Sequence, residues 1–440
     1  MTRWKYTIIL TVVAYILLSI LDKHLKCNMS SIISSVCSAY ESGQVSGPLC
    51  SDLCNKKTIH FHKCLSTVTE KTVYDGKWRS KQVILKMSRD WYKLFEEVHD
   101  YIKYDGHLSF YKRFVSSRVE TLFSNCSQCE ELTSHLMQLC DDNNDGKVSE
   151  TEVRSFATLL QLLEPMMLIA LNESKHAVDF YGYCGGLYVV EKLPFVASQV
   201  FGQTWELRDL SLLPDLFDPL EEVGRNMAEK IVNAVFAIPY VGHILSDSLK
   251  LTKYYIFSII AQTHVPSEQE KFRFVYSIID ATLGVSSNPY GMLQSCDLHL
   301  GNYGFTNHSV VKVIDFDHTY PVAYLGKRFM QKQCTSDDDC WVGHFNDCQS
   351  SCDKASGTCK SVARKQDLIN ICRVHLPFIF RGPFNLKTYE LNTTCLWKAI
   401  HSLMGFCLEL PVIKSVQQLK ETGLIIKEKL KALQDSCTEL

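Results

Sequence analysis

The sequence predicts an α+β fold, set behind one N-terminal apolar segment and stapled by disulfides. Three observations predict it. Strand-forming runs appear around 72–87 and again around 178–193, with long stretches of helical periodicity between and after them. Only Tyr6 to Leu21 is apolar enough to enter a bilayer. The 440 residues include 19 cysteines, all at or after Cys27. Hydrophobic residues are 46% and charged residues 21%, as in globular chains, which excludes the disordered, collagen-like and polytopic membrane classes. A net charge of −2 leaves no electrostatic footprint for nucleic acid.

A reducing cytosol would leave so many thiols free or bound to metal. Zinc requires paired cysteine or histidine spacings, and Cys126–Cys129 is the one C-x-x-C in the chain. Disulfides formed in the secretory pathway are the better reading, and the odd count leaves at least one thiol free or paired between chains. Tyr6 to Leu21 is flanked by Arg3 and Lys5 before it and by Asp22, Lys23, His24 and Lys26 after it. The run is short for a spanning helix, yet no small-x-small cleavage site closes it. It reads as an uncleaved signal anchor rather than a cleaved signal peptide. Residues 1–26 are then a cytosolic tip and anchor, with type II single-pass topology in a secretory-pathway membrane and the bulk of the chain lumenal. The sequons at Asn28, Asn125, Asn172, Asn307 and Asn392 agree.

Residues 27–68, with Cys27, Cys37, Cys50, Cys54 and Cys64 and a turn at Ser46-Gly47-Pro48, read as a disulfide-stapled lumenal cap. Residues 69–193 follow as the next segment. Thr72-Val73-Tyr74 and Gln82 to Met87 are strands, with a turn expected at Asp75-Gly76. Residues 90–140 are helix-rich. Leu132, Leu136 and Leu139 share a helical face before an acidic loop, and Val153, Phe156, Ala157 and Leu160 share one after it. A strand pair around Val178–Leu193 breaks at Tyr183-Cys184-Gly185-Gly186. Residues 194–440 complete the chain: helical over 205–290, cysteine-dense at Cys334, Cys340, Cys348, Cys352 and Cys359, and helical at the end. There Val412, Val416, Leu419, Ile426, Leu430 and Leu433 form an apolar stripe that reads as a packed face.

The acidic loop, Asp141-Asp142-Asn143-Asn144-Asp145-Gly146-Lys147-Val148-Ser149-Glu150-Thr151-Glu152, matches D-x-[DN]-x-[DN]-G-x₅-E in full. Calcium takes six to eight oxygen ligands. Asp141, Asn143 and Asp145 offer side-chain oxygens, Lys147 its carbonyl, Ser149 a direct or water-borne contact, and Glu152 a bidentate closure. Gly146 permits the sharp turn. The bland alternative is an acidic loop that merely caps the next helix. No second such loop occurs, and a lone one is more often a staple than a sensor.

Val83-Ile84-Leu85-Lys86 has the form of a strand whose lysine reaches nucleotide phosphates. Asp297 and Asn302 are spaced as in D-x₄-N, where the Asp accepts a hydroxyl proton and the Asn returns to a metal. Val313-Ile314-Asp315-Phe316 follows as an apolar strand ending in a metal-binding Asp-Phe. Upstream, the Cys184 to Glu191 strand resembles one leading to an adenine-binding hinge. Each piece alone has a bland explanation, such as a turn cap or a strand-end carboxylate. Their order and spacing together point to a kinase-like frame.

The chain resembles the divergent protein kinase domain 1 family over nearly its whole length. The resemblance runs through the anchor, Cys50-Ser-Asp-Leu-Cys54, the strand ending in Lys86, the calcium loop, Tyr183-Cys184-Gly185, Cys296-Asp297 and Cys334 to Cys359. It implies a bilobal protein-kinase-like fold with an EF-hand inserted at about 130–160 in the N-lobe of 69–193, and a C-lobe over 194–440. It implies Lys86 on phosphates, Asp297 as catalytic base, Asn302 and Asp315 on Mg²⁺ or Mn²⁺, and Glu191 at the nucleotide. Ca²⁺ and ATP are the implied cofactors, and a lumenal protein or glycan the implied substrate. The sequence also departs from the kinase pattern. Gly76 stands alone where a glycine-rich loop should cover phosphates, Cys296 replaces an Arg, and Asp317 replaces the Gly of D-F-G. Glu96 and Glu97 are the nearest acidic partners for Lys86. Two classes of function therefore stand: an ATP-dependent lumenal phosphotransferase, or a pseudokinase serving as a calcium-stabilised binding and scaffold module.

Overall fold

The computed structural model describes residues 29–66, 71–124, 126–201, 267–306, 310–342, 348–364, 366–381 and 395–438. The anchor expected at 6–21 and most of the helical stretch expected at 205–290 lie outside them. Among the described residues no single helix is long and apolar enough to cross a membrane.

The N-terminal half is built on one sheet. Helix α1 (Met29–Glu41) leads to strands β1 (Ile59–Ser66), β2 (Lys71–Trp78) and β3 (Lys81–Ser88). Helices α2 (Trp91–Asp105), α3 (His107–Phe123), α4 (Cys129–Leu139), α5 (Glu150–Gln161) and α6 (Leu163–Ala170) intervene before β4 (Phe180–Cys184) and β5 (Leu187–Glu191). The sheet is antiparallel in the order β1-β2-β3-β5-β4, with β3 at its centre. The β4–β5 turn falls at Gly185-Gly186, where it is expected. The β2–β3 turn does not. Asp75 and Gly76 lie inside β2, opposite Ile84 and Val83, and the chain reverses after Trp78 instead, with Arg79 at φ 55°. Gly76 is glycine for closeness: a Cβ there would lie 2.5 Å from Leu85 Cδ1 and 2.7 Å from the His60 carbonyl oxygen. Asp75 pairs with Lys192 at 2.7 Å.

The cysteine-rich cap is continuous with this lobe, and the expected boundary at 68 is not a structural one. Strand β1 belongs to the sheet, Cys37–Cys54 and Cys50–Cys184 staple the cap to itself and to β4, and Val36, Val45, Leu49 and Leu53 share a core with Tyr74, Leu85, Val189 and Phe95. The other face of the sheet packs on the inserted helices. Leu132 and Leu136 are buried, whereas Leu139 reaches solvent, and Val153, Phe156, Ala157 and Leu160 are buried together. Helices α5 and α6 meet at 97°, because Leu162 between them is extended at φ −75°, ψ 138°. Pro165 sits in the first turn of α6, where its missing N–H has no partner to lose.

Beyond β6 (Phe195–Val196) and α7 (Ala197–Phe201), the long helix α8 (Glu268–Ser286) starts at a Ser267/Glu270 capping box and organises the second half. Short strands β7 (Leu293–Ser295), β8 (Tyr303–Phe305), β9 (Val311–Val313) and β10 (Thr319–Pro321) precede α9 (Val322–Met330). The hairpin β11 (Ser350–Asp353) and β12 (Thr358–Ala363) packs on α9. Cys334–Cys352, Cys340–Cys359 and Cys296–Cys348 fill the small core there. Helices α10 (Cys395–Glu409) and α11 (Val416–Thr438) close the fold. Leu419, Ile426 and Leu430 of the predicted stripe are buried, and Val412 is exposed ahead of the helix. Cys140 is free and buried.

Candidate functional site

Register brings two lysines to one face of the sheet. Val73 pairs with Lys86, so the side chains of residues 71, 73 and 86 point the same way. That face meets α6. Glu164, in its first turn, is wholly buried and bridges both lysines: Oε1 lies 2.5 Å from Lys86 Nζ, and Oε2 lies 2.6 Å from Lys71 Nζ. The Tyr188 hydroxyl donates to the same Oε2 at 2.6 Å. Lys86 also donates to the Ile314 carbonyl at 2.8 Å, which ties β3 to the segment bearing Asp315. Lys71 continues outward to Asp315 Oδ1 at 2.9 Å and Asp317 Oδ2 at 2.6 Å.

Oxygens of Glu164, Asp315 and Asp317 lie within 4.8 Å of one another. Burial alone would depress the Lys71 ammonium, but these three carboxylates carry it well above the usual lysine range. Burial would likewise raise Asp315, yet Lys71 and Lys86 hold it well below the usual carboxylate range. Asp317 goes the other way: burial, with Glu164 and Asp315 beside it, pushes it up against the pull of Lys71. The three carboxyl groups offer hard oxygen donors beside the two ammoniums. That chemistry fits Mg²⁺ or Mn²⁺ bound with phosphates.

The second group lies on the loop after β7. The Asn302 amide donates to the Asp297 carbonyl at 2.7 Å and to its carboxylate at 3.2 Å. The Gly301 N–H donates to His299 Nδ1 at 3.0 Å, which leaves the ring proton on Nε2, 3.4 Å from Asp297 Oδ2. Burial would raise Asp297, but the hydrogen bonds from His299 and Asn302 bring it below its ordinary value. It is thus ionised near neutral pH, the state a proton acceptor must start from. The Ile314 N–H donates to the Asn302 carbonyl at 2.9 Å and joins this loop to Asp315. Cys296 is covalently held to Cys348, so a disulfide anchors the loop at the position where kinases carry an Arg that answers to phosphorylation.

Lys86, Asp315, Asp297 and Asn302 are therefore brought together. Glu191 is not part of that cluster: its carboxylate accepts from Lys312 at 2.6 Å and from the Asp179 N–H at 3.2 Å. Nor do Glu96 and Glu97 serve Lys86. Glu96 pairs with Arg154 at 2.9 Å and Glu97 faces Lys93, both on the helical insertion, and Glu164 holds the position instead. The sequence reading missed Lys71, Glu164 and Tyr188. The alternation of β2 would have exposed Lys71 had the turn been placed after Trp78. Nothing local marks Glu164.

The loop between α4 and α5 folds around its first residue. Asp141 accepts from the Asp145 and Gly146 N–H groups at 3.1 and 2.8 Å, and Asn143 from the Asp145 N–H at 2.8 Å. Asn144 and Gly146 both take positive φ. Glu152 closes the ring, accepting from the Asp142 N–H at 3.1 Å and the Ser149 N–H at 2.7 Å, while the Ser149 hydroxyl accepts from the Glu152 N–H. The loop thus caps a helix, and Asp141, Asn143, Asp145 and Glu152 each accept from the loop's own backbone N–H groups; these are oxygen donors of the kind calcium takes. Thr151 bonds the Gly43 carbonyl, and Ser155 accepts from the Ser46 N–H, so the cap segment rests on this helix–loop–helix.

Comparison with protein-family profiles adds two matches. A family described as "Protein-kinase domain of FAM69" matches residues 156–409, and one described as "N-term cysteine-rich ER, FAM69" matches residues 1–146.

Proposed function

The chain belongs to the FAM69 family of divergent kinase-like proteins with a cysteine-rich, endoplasmic-reticulum N-terminus, and from that premise we propose that it is a calcium-binding, metal-dependent nucleotide-binding protein of the secretory-pathway lumen. The observation that carries the reading is the buried bridge from Lys86 to Glu164, with Lys86 also fastened to the Asp315 segment. A kinase needs that lysine held at the phosphates and that Asp held at the metal.

The roles follow from position. Lys86 meets the phosphates, its ammonium fixed by Glu164. Asp315 and Asn302 would hold Mg²⁺ or Mn²⁺. Asp297, kept ionised by His299 and Asn302, takes the proton of an acceptor hydroxyl on a lumenal protein or sugar. ATP bound with metal would supply the phosphoryl group and neutralise its charge. The loop from Asp141 to Glu152 would hold calcium as an EF-hand and so stiffen α4 and α5, and α5 leads through Leu162 into the helix that bears Glu164. The N-terminal run at 6–21 anchors the chain as a type II protein. A second reading is favoured by one observation: Lys71 already bonds the two carboxylates, Asp315 and Asp317, that would face the metal. On that reading the protein is a pseudokinase that binds nucleotide without transferring phosphate.

The test is nucleotide binding by the oxidised, full-length protein with and without Mg²⁺ or Mn²⁺. Binding should require metal, Asp315→Ala should abolish the metal-dependent binding, and Asp297→Asn should leave binding intact while removing any transfer. No metal-dependent binding in correctly oxidised protein would sink the nucleotide reading.

A further inference from the structure

The β1–β2 connection is the place where a kinase covers the phosphates with backbone N–H groups, which glycine lets approach closely. Here the connecting residues are Thr67-Val68-Thr69-Glu70, without glycine, and the next residue is Lys71. Its side chain is 8% exposed and its ammonium touches three carboxylates. One of them, Glu164, is fully buried. The other two, Asp315 and Asp317, are 28% and 31% exposed and so face the open side of the cluster. A structural lysine needs one buried partner. This one also spans the two carboxylates nearest to where a metal would bind.

A divalent cation on Asp315 needs ligand oxygens at roughly 2.0–2.6 Å. The Lys71 ammonium, 2.9 Å from Asp315 and 2.6 Å from Asp317, occupies that ground, so the two cations exclude each other there. Resting on the nucleotide-binding reading above, we propose that Lys71 is a second phosphate-binding lysine: it neutralises Asp315 and Asp317 until a divalent cation takes those carboxylates, and then turns its ammonium to the phosphates. The flexible four-carbon stem of lysine allows the swing, and its point charge suits phosphate. A side-chain charge thereby replaces the missing glycine-rich cover.

The experiment measures the affinity of full-length, oxidised, calcium-saturated protein for a non-hydrolysable ATP analogue with Mn²⁺, and for Mn²⁺ alone. Lys71→Met should weaken analogue binding by about tenfold or more, the worth of a hydrogen bond to a charged group. It should also strengthen binding of Mn²⁺ alone, and Lys71→Arg should recover most of the analogue affinity. Because Lys71→Met leaves buried carboxylates short of a cation, Lys71→Met with Asp317→Asn keeps the charge balanced. That pair should still bind the analogue about tenfold more weakly than Asp317→Asn alone. Equal affinity of the double and single variants, or unchanged Mn²⁺ affinity in Lys71→Met, overturns the proposal while leaving the nucleotide reading in place. Wild-type protein that binds no analogue overturns both.

Discussion

Replacing Glu164 by glutamine removes one negative charge from the most deeply buried point of the site and leaves its shape unchanged. Both carboxylate oxygens are engaged: Oε1 with Lys86, Oε2 with Lys71 and Tyr188. Glu164 is 0% exposed and the two lysine side chains 6% and 8%, so solvent cannot take over the lost contacts. The amide still accepts through one oxygen, but its NH₂ faces an ammonium or a hydroxyl donor. Removing one partner of a buried pair costs about 3–5 kcal/mol, because the other charge stays behind unpaired. If the N-terminal lobe unfolds as a unit of 150–250 residues, each kcal/mol is worth about 2–4 °C, so its melting temperature should fall by roughly 10 °C. The control is Glu96→Gln. Glu96 is 46% exposed against Arg154, and an exposed pair is worth about 0–1 kcal/mol. Thermal unfolding followed by circular dichroism reads both variants, with urea titration to confirm the free energies. A double-mutant cycle with Lys86→Met should give a coupling of about 1 kcal/mol or more. Equal shifts in the two glutamine variants, or a loss below about 1 kcal/mol in Glu164→Gln, would refute the bridge as the element that fixes Lys86.

Calcium should raise the melting temperature of the wild type, by about 2.7 kcal/mol of stability at a hundredfold excess over the dissociation constant, and Glu152→Gln should abolish the response to a chelator. Cys50–Cys184 joins residues 134 apart and Cys126–Cys129 residues 3 apart; replacing the first pair by Ala should cost about 4–5 kcal/mol and the second about 1–2 kcal/mol in denaturant unfolding under oxidising conditions. Burial, aided by the charge of His299, lowers His375 to about 4. The unfolded chain takes up that proton below about pH 6.5, so stability should fall as pH drops from about 6.5 to about 4, by roughly 3 kcal/mol in all, and His375→Gln should flatten that slope. Gly76→Ala should destabilise the sheet, since its Cβ would meet a backbone carbonyl at 2.7 Å, and a melting temperature equal to wild type would contradict that packing.

What the sequence determined by itself was local. The loop from Asp141 to Glu152, the D-x₄-N of Asp297 and Asn302, the strand ending in Lys86 and the Gly185-Gly186 hairpin are all encoded by spacing within a short segment, where turn and helix geometry act directly. The oxidised state of the chain was legible from its cysteine count, though not the pairing, since Cys50 finds Cys184 only after the cap has packed on β4. The tertiary structure decided the rest. Placing the β2–β3 turn at Asp75-Gly76 hid the register that sets Lys71 beside Lys86, because side chains alternate every residue along a strand and a misplaced turn reassigns each of them. Glu96 and Glu97 are near Lys86 in sequence, but α2 carries them to Arg154 and Lys93. Glu164, 78 residues beyond Lys86, reaches it because α5 and α6 bend at Leu162 and bury α6 under the sheet. Which carboxylate answers a buried lysine depends on which helix packs against its strand, and that choice is made by the whole core rather than by the neighbouring residues.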